Sequence, residues 1–534
     1  MKKLVNWIIL IAFFCSNNLL AGTYYVDDSN GNDSWNGTSP VYISGNTGPF
    51  KTIRRGVQNA YNNDTVIVAN GIYCGKDNLE LNFNGNFVTL KSDKSSQNCI
   101  LDFQGYNHNW YFDADVFISG FMFKGIKYEN LSLYKQKKVV FDNCIFENNR
   151  PYSFNSLLKC YGQGSLKLNK CSFRGNIVEH GCLVKSSGSS NLEIIGCQMT
   201  ENTSMYNYFI ISCGEDSNAI ISNTQIEDNW NYYEANIYGI DCRGNANVEI
   251  KNSAITDNYS YSDFIGVYCP EGANVAISSC DISDNWAMDY VCAVQTEYLC
   301  SADIKISNCI INNNTSDYSD NSRAIKAIDC NSLQVINCLI TNNFGGIDGI
   351  SSYSSNKAKI INCNILSNIN ATFNSGYGIA GNTDVINCII KNNDRNILGE
   401  NVIVTYSDVS DDTDHIWPGV GNINADPLFA DVDNGDYHLL SQAGRWDPDV
   451  EQWVRDDVSS PCIDGGNPAD WVGDEPAGSG GRINMGYFGG TSQASKADYC
   501  TGVLPGDVNR DCMVNFIDFA LMTSDWLGST IEQP

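Results

Sequence analysis

One short pattern of apolar and polar positions recurs ten times along the middle of the chain. Its reference residues are Cys144, Cys171, Cys197, Thr224, Ser253, Cys280, Cys309, Cys338, Cys363 and Cys388, separated by 25 to 29 residues. Three positions earlier every copy is apolar, as at Phe141, Ile250 and Val335, and two positions later it is apolar again, as at Phe146, Ile255 and Ile340. Five positions later every copy carries Asn: Asn149, Asn176, Asn202, Asn229, Asn258, Asn285, Asn314, Asn343, Asn368 and Asn393. A fixed period of this length predicts a solenoid, in which each unit buries its apolar face only by stacking on its neighbours.

The same offsets spell a leucine-rich repeat, and the return segment separates the two readings. A leucine-rich repeat wants an apolar anchor two residues beyond the Asn, where this chain has Pro151, Val178, Ser204, Asn231, Ser260, Ala287, Ser316, Gly345, Asn370 and Arg395. The returns instead contain β-forming runs such as Phe209 to Cys213, Tyr238 to Cys242 and Phe264 to Cys269. Three short strands per coil fit the period. The pattern resembles the right-handed parallel β-helix of the pectin-lyase-like superfamily, so the expected fold class is all-β. On this reading Cys and Asn are core and bend residues: Asn tolerates a left-handed backbone, and its amide can bond to the amides above and below.

The flanks read as caps and appendages. Residues 1–21 carry Lys2 and Lys3, an apolar run from Trp7 to Phe14, and Leu19, Leu20 and Ala21 as the expected cleavage site, the pattern of a signal peptide. Residues 22–98 form an N-terminal cap and first coil, with Phe50, Ile53, Val57, Ala60 and Tyr61 at the spacing of an amphipathic capping helix. The order of elements from Thr23 to Tyr73 resembles the N-terminal cap of extracellular β-helix polysaccharide lyases. Coils occupy 99–400, and 401–498 is a closing region expected to seal the last coil, similar to that of many bacterial surface β-helix proteins. In 499–534, Asp507, Asn509, Asp511, Met513 (through its carbonyl), Asn515 and Asp518 fall at positions 1, 3, 5, 7, 9 and 12 of an EF-hand-type calcium loop. That stretch resembles one repeat of a type I dockerin, which implies calcium and a cohesin-like or cell-surface partner, although Cys512 stands where Gly is usual and the second repeat is missing.

Charge narrows the partners. The net charge is −28, which disfavours nucleic acid and anionic membranes, and no later stretch is apolar enough to form a membrane span. A local basic stretch, 11 Lys and Arg against 4 acids from Lys124 to Lys185, could meet a polyanion. The 22 cysteines become 21 without Cys15, an odd number, and parallel Cβ vectors on stacked coils suit disulfides poorly, so mostly reduced thiols are expected. With four His and no Ser-His-Asp arrangement, and without the polygalacturonase signature, familiar hydrolytic sets are absent.

One column carries candidate chemistry. Glu201, Asp228, Asp257 and Asp284 stand four positions after the reference residue, and Trp230, Tyr259 and Trp286 six after it. If the Asn points inward, both neighbours point outward together. Stacked acids about 5 Å apart, or about 10 Å two coils on, suit glycosidase chemistry or calcium, and aromatic rings beside them suit sugar faces; a plain surface ladder would look the same. Asp228, Asp257 and Asp284 are thus the candidate catalytic residues, with Trp230, Tyr259 and Trp286 for substrate; for a lyase the base is open among Arg174, Lys170 and Lys185, with no motif to select one. The expected function is a secreted β-helix protein acting on or binding extracellular polysaccharide, as a lyase or glycosidase, or a non-catalytic adhesive β-helix.

Overall fold

The computed structural model describes residues 21–497, apart from 129–130, 134–135, 153–154, 232–234, 318–321, 345, 354–355, 357, 370–375, 400, 412 and 478, together with 506, 514 and 516–525. Residues 1–20 of the candidate signal peptide, and Asp507, Asn509, Asp511, Met513 and Asn515 of the candidate calcium loop, lie outside the described residues. The chain divides into two compact units, residues 1–151 with 157–172, and 152–156 with 173–534.

In the first unit, parallel strands Thr23–Val26, Thr65–Val68, Val88–Ser92, Val116–Ser119, Lys138–Asp142 and Ser165–Asn169 stack into one face. Gly71–Cys74, Cys99–Asp102, Met122–Lys124 and Ile145–Glu147 stack into a second. Alternation along each strand puts Val66, Val68, Leu90, Ile118 and Phe141 inside. The helix Ile53–Asn59, N-capped by the Thr52 hydroxyl, buries Ile53 and Val57. It approaches strands Thr23–Val26 and Thr65–Val68 at Gly56, where a Cβ would lie 2.9 Å from methyls of Val26 and Val66.

The second unit is the strict repeat folded as a parallel β-helix. Its first face runs from Asn191–Ile195 to Ile403–Thr405, its second from Gln198–Thr200 to Asp408–Val409, and its third from Cys182–Ser187 to Arg395–Leu398, each strand hydrogen-bonded in parallel to the equivalent strand one coil on. Three strands per coil is short by one in the middle coils. Residue pairs from Ile177–Val178 to Thr315–Ser316, six and seven positions after the reference residue, form a fourth sheet of six strands. The second residue of each pair faces inward, and Ser204, Asn231, Ser260, Ala287 and Ser316 are buried. The leucine-like anchor is missing there because small and polar residues bond to one another instead, as Asn231 Nδ2 does to Ser260 Oγ at 3.0 Å.

The plus-five asparagines form a continuous buried amide ladder. Nδ2 of Asn176, Asn202, Asn229, Asn258, Asn285, Asn314, Asn343 and Asn368 each donates to Oδ1 of the Asn one coil on, at 2.8 to 3.1 Å. The same Oδ1 also accepts the preceding Asn backbone N–H, as Asn258 Oδ1 does from Asn229 N at 3.1 Å. Nδ2 further holds a core carbonyl of the coil before, Asn258 Nδ2 donating to Ile226 O at 2.9 Å.

The left-handed bend, however, belongs to other residues. Every plus-four residue, including Asn148, Glu201, Asp228, Asp257, Asp284 and Asn392, has φ between +53° and +60°, and so does Gly175. Every residue before the reference position, such as Lys170, Asn223, Asn337 and Asn387, has φ between +48° and +62°. Two left-handed corners thus bracket the second-face strand, and Asn, Asp and Gly are favoured there because they tolerate that conformation. At the reference position the side chain donates to the carbonyl two residues back: Cys338 Sγ to Ile336 O at 3.3 Å, Thr224 Oγ1 to Ser222 O at 3.0 Å, Ser253 Oγ to Lys251 O at 2.8 Å. Thiol and hydroxyl are interchangeable because either makes this bond. The described cysteines are free thiols.

The closing region lies along the outer side of the second face in the later coils. Tyr437, Leu439, Cys462 and Met485 share a core with Leu339, Leu366 and Ile389, which point out of the solenoid. Corner asparagines anchor it: Asn337 Nδ2 donates to Tyr487 O (3.0 Å), Asn362 Nδ2 to Gly489 O (2.9 Å), and Asn387 Nδ2 to Asp470 Oδ2 (2.9 Å). The sequence signal is the switch of outward positions from Gln198, Gln225 and Asp281 to Ile310, Leu339 and Ile389. A buried Lys391–Asp408 ion pair at 2.8 Å, with the Cys462 thiol donating to the same carboxylate, fastens it further. In the C-terminal helix Phe516–Asp525, Asp518 is buried in the first turn.

Replacing Asn258 by Ala takes the acceptor from the buried Asn229 N–H and the donor from Ile226 O, and should cost about 3–5 kcal/mol. Denaturant unfolding of the variant reads this directly; a loss below about 1 kcal/mol would contradict the ladder's role. Within the closing region, burial raises Glu475 to about 7 and Asp464 to about 6. Both groups bind protons more tightly folded than unfolded, so their stabilising contribution is lost as pH rises through those values. Glu475→Gln, which keeps an oxygen for the N–H groups of Asn484 and Gly490, should raise the melting temperature at pH 8 and leave it unchanged at pH 4.

Candidate functional site

The third face of the second unit carries the site. Cys269 points inward there, so its neighbour Tyr268, and Gln295 and Lys326 in register with it, face out on successive coils. Asp241 pairs with Tyr268, Tyr268 with Gln295, and Gln295 with Lys326, while Asp263 pairs with Tyr290. Gly239 and Gly266 stand within these strands, where a Cβ would lie 2.5 and 2.7 Å from the carbonyl oxygens of Gly266 and Ala293.

Residues of this face and the turn after it line a cavity of about 450 Å³, within the size of ligand sites. Tyr238, Tyr290, Tyr298 and Tyr353 supply aromatic walls, Asp263 and Glu297 supply acids, and Arg323 and Lys326 supply cations. The rings of Phe209, Tyr238 and Tyr268 continue the wall toward earlier coils, with centroids 4.8 Å apart at each step. Beside them Arg243 Nε bonds to both carboxylate oxygens of buried Asp241, at 2.8 and 2.9 Å, and its guanidinium lies 5.1 Å from the Phe209 centroid.

Electrostatics single out Asp263. Burial, reinforced by repulsion from Asp289 and offset by Lys326, pushes its carboxyl up to about 6. Its backbone N–H donates to Asn236 Oδ1 at 3.3 Å. Lys326 Nζ lies 5.6 Å from the Tyr290 ring centroid, and it makes no ion pair with a described residue. Tyr290 is pushed well up by burial, next to the Cys292 thiol, and Tyr268 is raised by burial and by Glu297. Glu297 accepts from Gln295 Nε2 at 2.6 Å. Cations, a proton-holding acid and phenols therefore converge on one concave surface with aromatic walls.

The column read from the repeat is brought together on neighbouring coils and sits elsewhere. Asp228, Asp257 and Asp284 occupy left-handed corners and are exposed. Trp230 pairs in register with Tyr259, and Tyr259 stacks on Trp286 with centroids 4.2 Å apart and planes 11° apart. The stacked rings cover one another's faces and present edges. Asp257 is raised by burial and then by Asp284 and Asp228, as Glu227 is by burial and by Asp228 and Asp257. None of these six residues lines the third-face cavity. Lys185 is on the third face, Lys170 at a corner and Arg174 on the second face. The sequence hides the cavity residues because the returns vary in length; inward Cys242 and Cys269 mark two of the coils, and Thr296 takes that place in the next.

Among the described residues no group of three or more His, Cys, Asp and Glu is arranged to hold a metal ion, and no helix is long and apolar enough to cross a membrane.

Among curated proteins nothing matches the chain. Sixteen chains of solved structures match it, three of them as follows. XylC in complex with xylose has 9% identity and a TM-score of 0.31, over 81% of this chain and 92% of that one. A pectate lyase has 14% identity and a TM-score of 0.26, over 88% and 96%. The A-module of a mannuronan C-5 epimerase from Azotobacter vinelandii has 13% identity and a TM-score of 0.33, over 66% and 92%. The family described as Disaggregatase related matches residues 247–466, a span that includes the cavity residues from Asp263 to Tyr353.

Proposed function

We propose that the chain is a secreted β-helix protein that binds an extracellular polysaccharide along the third face and cleaves it. The observation that carries this reading is the cavity itself, where phenol walls meet Asp263, Glu297, Arg323 and Lys326. Phenol rings suit sugar faces, and a few convergent polar groups fix orientation. Asp263 keeps its proton to about 6, which suits it to protonate the leaving glycosidic oxygen, a step shared by hydrolysis and elimination. Lys326 and Arg323 place positive charge beside the bond being broken. The corner column Asp228, Asp257, Asp284 with Trp230, Tyr259 and Trp286 serves, on this proposal, as a secondary contact for the same polymer.

The C-terminal loop from Asp507 to Asp518 is proposed as a calcium site that recruits a cell-surface or cohesin-like partner. Calorimetric titration of the full chain with calcium should show one site that Asp507→Ala abolishes; an unchanged titration would remove the proposal.

A panel of xylan, polygalacturonate and alginate, read at 235 nm for unsaturated ends and by reducing-sugar assay, tests cleavage and distinguishes elimination from hydrolysis. Asp263→Asn should lower the rate at least about 100-fold with polymer binding retained, and wild-type activity should fall as pH rises through about 6, where the acid form disappears. Binding without cleavage of any polymer would leave the non-catalytic, adhesive reading.

A further inference from the structure

The turns leading from the third face back to the first place a left-handed residue at offsets that vary from coil to coil. In that conformation four of them carry Gly188, Glu215, Gly244 and Asp329, residues of small size or polar character. The coil at the centre of the cavity carries Leu299 there, with φ of +63°. A bulky apolar side chain in that conformation is a genuine outlier, and such outliers persist where surroundings over-determine them. Here Asp329 Oδ2 of the next coil accepts the Leu299 N–H at 3.0 Å and holds the turn. Nothing is gained in packing, since Leu299 is 93% exposed and its neighbour Tyr298 is 75% exposed. Tyr298 nonetheless lines the cavity, so the exposed pair is continuous with the site.

We infer that Tyr298 and Leu299 form a rim that grips the apolar face of a pyranose ring as the polymer leaves the cavity. A sugar ring presents axial C–H groups on one face, which suits a solvent-exposed phenol with an exposed aliphatic residue next to it in the chain. The backbone strain at Leu299 is then the cost of presenting that side chain outward, and relieving it should separate stability from binding. This inference rests on the polysaccharide reading of the cavity.

Affinity gel electrophoresis of the full chain in soluble xylan, polygalacturonate or alginate, alongside thermal melting, tests it. Leu299→Gly relaxes the turn, since Gly takes positive φ freely, and should melt at the same or a higher temperature while its affinity for the retarding polymer falls at least fivefold. Tyr298→Ala should lose affinity likewise, and Lys326→Ala serves as the cavity control. Loss of affinity in Lys326→Ala with wild-type affinity in both rim variants would overturn the rim and leave the cavity reading intact. A wild-type chain retarded by none of the three polymers would overturn both.

Discussion

A parallel β-helix satisfies its strand hydrogen bonds between coils, but at each sharp corner the backbone leaves that network and its polar groups turn inward, away from water. An unmet buried donor costs about 1–3 kcal/mol, so every corner needs an internal partner. The amide ladder supplies it. Asn229, Asn258 and Asn285 accept from one neighbour's backbone and side chain while donating to the next Asn and to a core carbonyl. Each residue completes its neighbour, so the position keeps Asn in all ten copies, whereas Cys, Thr and Ser exchange freely one corner earlier.

That ladder fixes which side chains point where, and so makes a function possible. With corners pinned on both sides of the second-face strand, coil-length variation is displaced into the return, and the third face becomes the surface free to differ. There Tyr238, Asp263, Tyr290, Arg323 and Lys326 come from four successive coils to enclose one cavity. Their sequence separation is large, yet each is one step from its neighbour along the stack. The later coils use the same freedom differently, turning outward positions apolar at Leu339, Leu366 and Ile389 so that the closing region packs on them.

Much of the fold is legible in the sequence because it is periodic. The inward Asn, the small reference residue and the apolar positions follow from their constant offsets. Local geometry does not: the left-handed backbone sits at Asp228 and Asn223, not at Asn229, because sequence identity alone does not say which of two adjacent corner residues carries the bend. The fourth strand at Trp230–Asn231 is hard to see because its inward residue is polar and is satisfied by Ser260. The cavity is hidden for a related reason: Asp263, Arg323 and Lys326 lie in segments without a constant length, whereas the acidic column stands out because it is periodic. Asp228, Asp257 and Asp284 have a structural reason to be Asp in any case, since that residue tolerates the corner conformation.

Binding of polymer on the third face would leave a footprint in amide hydrogen exchange, compared with and without a bound polysaccharide. Added protection is predicted in Asp263–Cys269, Tyr290–Thr296 and Ser322–Ile328, with the corner strands Trp230–Asn231 and Trp286–Ala287 changed less. Protection concentrated at those corner strands, with the third face unaltered, would contradict third-face binding.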